Sequence, residues 1–229
     1  MADLLVVETS RAFASGWFET RHYTGTFGGT RAFECRDGDV VVAVVAVGRG
    51  GNRFGVGDKF GLTQWRGDIE ITRVACDTAA PRNTASKAVA AVLRVLAGEG
   101  LDWVFTYADS AHGHHGGIYQ ALNAVYVGTD AKQWVNFELD GRRVAKRAIS
   151  GRFGHTRWPE VAELAAAAGH VLKKVPWAPK HTYILPISRD VKTKRAVAAH
   201  LRPLALPYPK KGEDVQPTPY RNHRPKNGE

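Results

Sequence analysis

The sequence predicts a mixed α/β or α+β domain, a central β-sheet flanked by helices, with a basic C-terminal extension. Three observations predict it. Short β-branched runs alternate with helical patterns along the first 140 residues, an order that folds as a sheet covered by helices. Residues 40–47 are apolar without interruption, as in a strand buried on both faces. The charge is split: residues 1–140 hold 13 Lys and Arg against 16 Asp and Glu, and residues 141–229 hold 19 against 6.

The elements follow in order. Residues 4–7 form a first strand. Residues 10–23 read as a helix with Ser10 as N-cap and Phe13, Trp17 and Phe18 on one side. Asp37, Gly38 and Asp39 make a turn joining residues 33–35 to the 40–47 strand as a hairpin. Residues 48–61, rich in Gly and charge, are expected to be an irregular loop. The next strand is 69–76, where alternation puts Glu70 and Thr72 on one face and Ile71 and Arg73 on the other. A helix over 86–97 carries Val89, Val92, Leu93 and Leu96 at helical spacing and ends at Gly98–Gly100. A strand at 103–108, a helix from 118 to about 123 and strands at 126–127 and 134–139 complete this part. Beyond 141 the pattern loosens to a helix at 159–168, a short strand at 183–186 and a Pro-rich extended stretch at 203–209. The expected organisation is a catalytic core at 1–140, a basic extension at 141–210 packed on the core, and a disordered tail at 211–229.

Composition narrows the function. Of the 229 residues 44% are hydrophobic and 24% charged, which fits a soluble globular protein. No apolar run approaches the roughly 20 residues that span a bilayer, and no basic segment precedes the apolar start, so neither a membrane protein nor a secreted one is expected. Cys35 and Cys76 are far apart and read as reduced thiols, excluding a zinc site built on cysteines. The basic half attracts a polyanion. Phe153, Trp158, Trp177, Tyr183, Tyr208 and Tyr220 are interleaved with its charges, and base stacking needs such rings. A solvated basic tail is the plainer alternative.

Two segments could carry chemistry. Pro81-Arg82-Asn83-Thr84-Ala85-Ser86 joins a strand to a helix, and the unpaired N–H groups of a helix start bind anions; local sequence alone favours the plainer reading, that Asn83 or Ser86 caps the helix. No Gly-rich dinucleotide fingerprint is present. Residues 107–120, YADSAHGHHGGIYQ, gather three histidines, a carboxylate and two tyrosines after a strand. Histidines move protons near neutrality or bind metal, and a surface turn with solvated imidazoles is the bland reading. His112, His114, His22 and Asp109 could make a 2-His-1-carboxylate set for iron(II), although spacing alone does not show it.

The segments RHYTG (21–25), VVAVGRGG (44–51), IEITRVACDTAAPRNTASK (69–87), YADSAHGHHGGIYQALNAVYVG (107–128), PKHTYILPI (179–187) and LRPLALPYPKK (201–211) together resemble the Mom family of phage DNA-modification proteins. The resemblance implies a GNAT-like core, with the donor in a V-shaped opening between strands four and five. The usual GNAT pyrophosphate loop is absent, and Arg82–Ser86 stands in its place. It further implies conversion of adenine in double-stranded DNA to N6-carbamoylmethyladenine, protection from host restriction, and action in the cytoplasm of the infected bacterium. Carried over, the motif residues fall on His22, Tyr23, Arg73, Asn83, Ser86, Tyr107, Asp109, His114, Tyr119 and Gln120, and the resemblance leaves their roles open. The chemistry of their side chains makes His22, Tyr23, Asp109, His114 and Tyr119 the expected catalytic residues. Arg73, Asn83, Ser86, Tyr107 and Gln120, with Arg82 beside them, would hold the cofactor. The donor is open between acyl-CoA and glycyl-tRNA, so tRNA is a second nucleic-acid partner to weigh. Lys146, Arg147, Arg152, Lys173, Lys174, Lys180, Lys192, Lys194 and Arg195 are the DNA-binding residues expected from the charge. The rival readings are an acyl-CoA-dependent N-acyltransferase of a small amine or protein, and a non-catalytic DNA-binding phage protein.

Overall fold

The computed structural model describes residues 3–49, 55–129, 136–144, 146–155, 157–175 and 179–212. Their strands are β1 (Leu5–Thr9), β2 (Arg31–Asp37), β3 (Val40–Arg49), β4 (Ile69–Cys76), β5 (Trp103–Asp109), β6 (Val125–Thr129), β7 (Asn136–Leu139), β8 (Arg142–Val144), β9 (Leu172–Val175) and β10 (Lys180–Pro186). The helices are α1 (Arg11–Arg21), α2 (Val56–Phe60), α3 (Thr84–Gly98), α4 (Gly117–Gln120), α5 (Lys146–Phe153), α6 (Glu160–Ala167) and α7 (Val191–Leu201).

Two compact units result, Met1–Asp130 with Lys180–Glu229, and Ala131–Pro179. This differs from a core ending at 140. The chain returns after the second unit because β10, apolar from Tyr183 to Leu185, inserts between β5 and β6. The mixed sheet runs β1-β2-β3-β4-β5-β10-β6, antiparallel except for the parallel β4–β5 pair. As the uninterrupted apolar run requires, β3 is buried on both faces. Val45 and Val47 meet α3 through Val89, Val92 and Leu96, while Val44 and Ala46 meet α1 through Ala14, Trp17 and Phe18. On that second side, over β5 and β10, lie α2 and α7, through Val56, Phe60, Val197 and Leu201.

Two features of β4 create the site. It pairs with β5 only at Ile69, Glu70 and Ile71, against Val104, Phe105 and Thr106, and beyond that point the strands separate. Thr72 is an extra residue against β3, where Ala46 faces Arg73 and Val47 faces Ile71. Such a bulge bends a strand and reverses its alternation. The expectation that Ile71 and Arg73 share a face is therefore corrected. Ile71 joins the core under α3, whereas Arg73 reaches the other side, to Thr24 and Gly28.

Ser10 caps α1 as expected, accepting the Phe13 N–H at 3.2 Å, but Phe13 itself is exposed. Within the stretch read as irregular, β3 continues to Arg49 and α2 forms a single turn. Its first N–H groups, of Val56 and Gly57, bond to Asp68 Oδ1, a cap too distant in sequence to be seen locally. α7 escaped the periodicity because only Val197 and Leu201 are buried along it; Asp190 caps it through the Thr193 N–H.

The second unit is an antiparallel sheet, β8-β7-β9, packed with α5 and α6 around Phe137, Leu139, Ile149, Val161 and Leu172. Among the described residues no helix is long and apolar enough to cross a membrane. Cys35 is buried, Cys76 half-buried, and both are free.

Candidate active site

Where β4 and β5 separate, a cleft of about 600 Å3 opens. β4 contributes Arg73 and Cys76, β5 Tyr107 and Asp109, the end of α1 His22 and Tyr23, and the following turn and α4 His114, Ile118 and Tyr119. All five residues expected to be catalytic are in this wall.

His22 ends α1, and its ring is fixed by the next turn. Nδ1 lies 2.8 Å from the Thr24 hydroxyl and accepts the Thr24 N–H at 3.2 Å, so the neutral ring carries its proton on Nε2. Burial lowers the pKa of His22 to about 4, assisted by Arg73, His114 and His112. Arg73 donates from Nε to the same Thr24 hydroxyl at 3.1 Å and from Nη1 to the Thr72 carbonyl at 2.6 Å. Its guanidinium lies against Gly28, where a Cβ would come within 2.8 Å.

Tyr23 makes ring contacts to His22 and His112 at 4.3 and 4.2 Å and meets His114 edge-on at 5.2 Å. Burial, with Asp109 next, raises its pKa to about 12, so the phenol keeps its proton. Asp109 accepts the Ala111 N–H at 3.0 Å through Oδ1 and faces Lys180 Nζ at 3.8 Å through Oδ2. Burial, then His112, lowers the pKa of His114, against the opposing pull of Asp109. Tyr119 is buried at the base, its hydroxyl bonded with Thr106.

A second hollow of about 340 Å3, lined by Cys76, Asn83, Thr84, Ala85, Ser86, Gly117 and Ile118, adjoins the cleft at the start of α3. The capping reading of Asn83 and Ser86 is corrected. Asn83 is left-handed, with φ 67°, and its side chain caps nothing. Ser86 Oγ donates back to the Asn83 carbonyl at 3.0 Å. Among the described residues the N–H groups of Ala85 and Ser86 have no acceptor, so this helix start is free to take an anion.

Other expected site residues are placed differently. Arg82 is exposed and lines neither hollow. Gln120 Nε2 is engaged by the His115 carbonyl, the Tyr183 hydroxyl and the Pro209 carbonyl at 2.9, 3.0 and 3.1 Å, and so clasps backbone. Lys180 lies in β10 beside Asp109, which makes it part of the cleft's electrostatics. Among the described residues no three His, Cys, Asp or Glu groups are placed to hold a metal, and His22, His112 and His114 instead pack around Tyr23.

The basic residues divide. Lys192, Lys194 and Arg195 are exposed on α7, and Lys173 and Lys174 on β9. Lys174 Nζ stands 5.0 Å over the ring of Trp158. Arg152 is bonded to His170 Nε2 at 2.7 Å, and His170 Nδ1 to Asp140 at 2.7 Å. The side chains of Lys146 and Arg147, together with Trp177, Tyr220 and the tail from 213, lie outside the described residues. Tyr183 is buried in the core and Phe153 partly buried, so neither offers a ring for stacking.

Sequence reasoning passed over Thr24, Gly28, Glu70 and Lys211. Burial raises the pKa of Glu70 to about 7, against Lys180 and Arg73. Lys211 reaches the cleft from the chain's far end. Only contacts between distant segments reveal these roles, although Thr24, Glu70 and Lys211 all sat inside segments of the resemblance.

The Mom protein family matches residues 3–210. The methylcarbamoylase mom of Escherichia phage Mu is 35% identical over 81 residues, a match that spans 34% of this chain and 33% of the relative. Among solved structures, an N-acetyltransferase from Staphylococcus aureus aligns over 82% of this chain and 100% of its own, at 10% identity and a TM-score of 0.45. A Bacillus subtilis acetyltransferase solved in complex with CoA aligns over 80% of this chain and 98% of its own, at 8% identity and 0.41.

Proposed function

The chain belongs to the Mom protein family, and from that premise we propose that it is a transferase of phage DNA modification that attaches a carbamoylmethyl group to N6 of adenine. One observation carries the reading: the separation of β4 from β5 gathers His22, Tyr23, Arg73, Asp109 and His114 around one cleft that adjoins an unsatisfied helix start.

The chemistry sets the requirements. The adenine amine is a weak nucleophile because its lone pair is delocalised into the ring, so a base must take its proton as it attacks the carbonyl carbon of a donor-bound glycyl group, and donors must meet the charge developing on that carbonyl oxygen. The bond to the CoA sulfur or tRNA ribose oxygen breaks, and the leaving group takes the proton back from the base. The glycyl adduct, an isomer of the carbamoylmethyl product, rearranges to it with no further reactant. His114, held neutral by its lowered pKa, takes the proton, with the Asp109 carboxylate alongside to steady the imidazolium. His22 presents Nε2–H and Tyr23 its phenolic O–H as the donors. Arg73, pinned by Thr24 and Thr72, holds an anionic group. The Ala85 and Ser86 N–H groups receive a phosphate of the donor. Both acyl-CoA and glycyl-tRNA offer one.

A base within a duplex is out of reach of this cleft, so the adenine is extruded, at a cost of a few kcal/mol. Lys173, Lys174, Lys192, Lys194 and Arg195 are the exposed cations assigned to the phosphates.

The test is the mass of nucleosides from DNA co-expressed with the protein. The expected product is deoxyadenosine carrying a carbamoylmethyl group with the wild-type chain and unmodified deoxyadenosine with Asp109→Asn. Unmodified DNA from active wild-type cultures, with an acylated small amine in its place, would overturn the reading.

A further inference from the structure

The last described stretch, 205–212, runs back across the edge of the sheet to the cleft. Four contacts tie it down. The Leu206 N–H donates to the Tyr126 carbonyl of the edge strand β6 at 2.9 Å. The Tyr208 hydroxyl donates to the Ala124 carbonyl at 2.7 Å. The Tyr208 ring meets that of Tyr183 at 6.4 Å, and the Pro209 carbonyl accepts from Gln120. Pro207 and Pro209 restrict the backbone between these ties. Gln120 also holds the His115 carbonyl, so the histidine turn and this strap share one clasp. Two residues past Pro209, Lys211 joins the cleft wall.

Three cationic side chains line that wall, Arg21, Arg73 and Lys211. Arg21 is paired with Asp77 at 3.2 Å. Arg73 is spent in part on Thr24 and Thr72. Lys211 has no ion pair among the described residues, and its side chain is exposed. An ammonium on a flexible stem, set by a fixed backbone at the mouth of a cleft, is a point-charge ligand for phosphate.

We infer that Lys211 is a phosphate-binding residue of this site, presented by the C-terminal strap, and that its ligand is the backbone phosphate beside the nucleotide in the cleft. The assignment of that phosphate to DNA rests on the proposed function. Gln120 serves it indirectly, as a positioning residue that keeps the strap on the histidine turn.

The test uses the full chain and a fluorescent DNA duplex, with affinity measured across a salt series, for the wild type, Lys211→Ala, Lys211→Glu, Lys211→Arg and Gln120→Leu. Pyrophosphate is titrated in parallel as a phosphate without DNA. Loss of one phosphate contact lowers the slope of log affinity against log salt by about 0.9. That loss is expected for Lys211→Ala, with weaker binding still for Lys211→Glu and a wild-type slope for Lys211→Arg. Gln120→Leu should reproduce Lys211→Ala although the charge remains. Pyrophosphate affinity should not change. Slopes unchanged across the Lys211 series in a wild type that binds DNA would overturn the inference and leave the function standing. A wild type that does not bind DNA would overturn the function itself. A loss confined to pyrophosphate would overturn the DNA assignment and place Lys211 on the donor.

Discussion

Nδ1 of His22 lies 2.8 Å from the hydroxyl of Thr24, and that hydroxyl also accepts the Nε–H of Arg73. One residue therefore fixes both groups, the histidine tautomer through its backbone N–H and the guanidinium through its hydroxyl. Replacing Thr24 with Val keeps the shape and removes the oxygen, leaving a half-buried Arg73 donor unpaired at a cost of about 1–3 kcal/mol. Modification should fall on the order of 100-fold, as misplaced site groups do, while Thr24→Ser retains most activity. Nitrogen NMR is the check: the Arg73 Nε–H should exchange slowly in the wild type and in Thr24→Ser and faster in Thr24→Val, while His22 keeps Nε2–H in all three because the Thr24 backbone N–H still reaches Nδ1. Unchanged Arg73 exchange with unchanged activity would remove the Thr24 hydroxyl from the mechanism.

The acidity of His22 supplies a second prediction. Its folded pKa of about 4 lies below the ordinary 6.5. Between those values the unfolded chain binds more protons than the native one, so this group's contribution to stability is present above 6.5 and is lost as pH falls toward 4. The His22 ring should titrate near 4 in NMR. His22→Gln should show a shallower decline in denaturation midpoint between pH 6.5 and 4 than the wild type. A His22 midpoint near 6.5 would contradict the desolvated environment.

Gly116 and Gly28 test backbone approach in two ways. Gly116 has φ 82°, and a Cβ there would lie 2.3 Å from the Tyr183 ring, whose hydroxyl is bonded to the His115 carbonyl. Gly116→Ala combines left-handed strain with overpacking, each about 1–3 kcal/mol, and should lower the thermal midpoint markedly. At Gly28 the obstructing atoms belong to the Arg73 guanidinium, which can shift. Gly28→Ala should cost less stability than Gly116→Ala, since it strains the Arg73 hydrogen bonds and not the backbone, and should weaken donor binding. Equal melting temperatures for Gly116→Ala and wild type would refute the packing argument.

How far the sequence disclosed this site depends on the range of each interaction. The strands read at 69–76 and 103–108 and the helix between them were legible because their signals are local: β-branched runs, then apolar residues at helical spacing. The histidine turn was legible from its density. The face of Arg73 was not, since the bulge at Thr72 reverses alternation and is set by pairing with β3. Nor was the structural role of Gln120, whose acceptors include Pro209, 89 residues away. The core boundary was misjudged because β10 is separated by a whole unit from the strands it pairs with.

Glu70 gives the sharpest contrast with His22. It sits in the last paired stretch of β4, where burial lifts its pKa to about 7 although Lys180 and Arg73 pull it down. The native carboxyl thus keeps its proton at pH values where the unfolded one, near 4.5, has lost it. Between 4.5 and 7 the native state binds more protons, and stability falls as pH rises through that window. Glu70→Gln keeps the shape and removes the ionisation, so it should match the wild type at pH 5 and exceed it at pH 8. Denaturation midpoints at the two pH values measure the difference. If the variant were less stable at pH 8, the Glu70 carboxylate would have to be ionised and satisfied by Lys180 and Arg73.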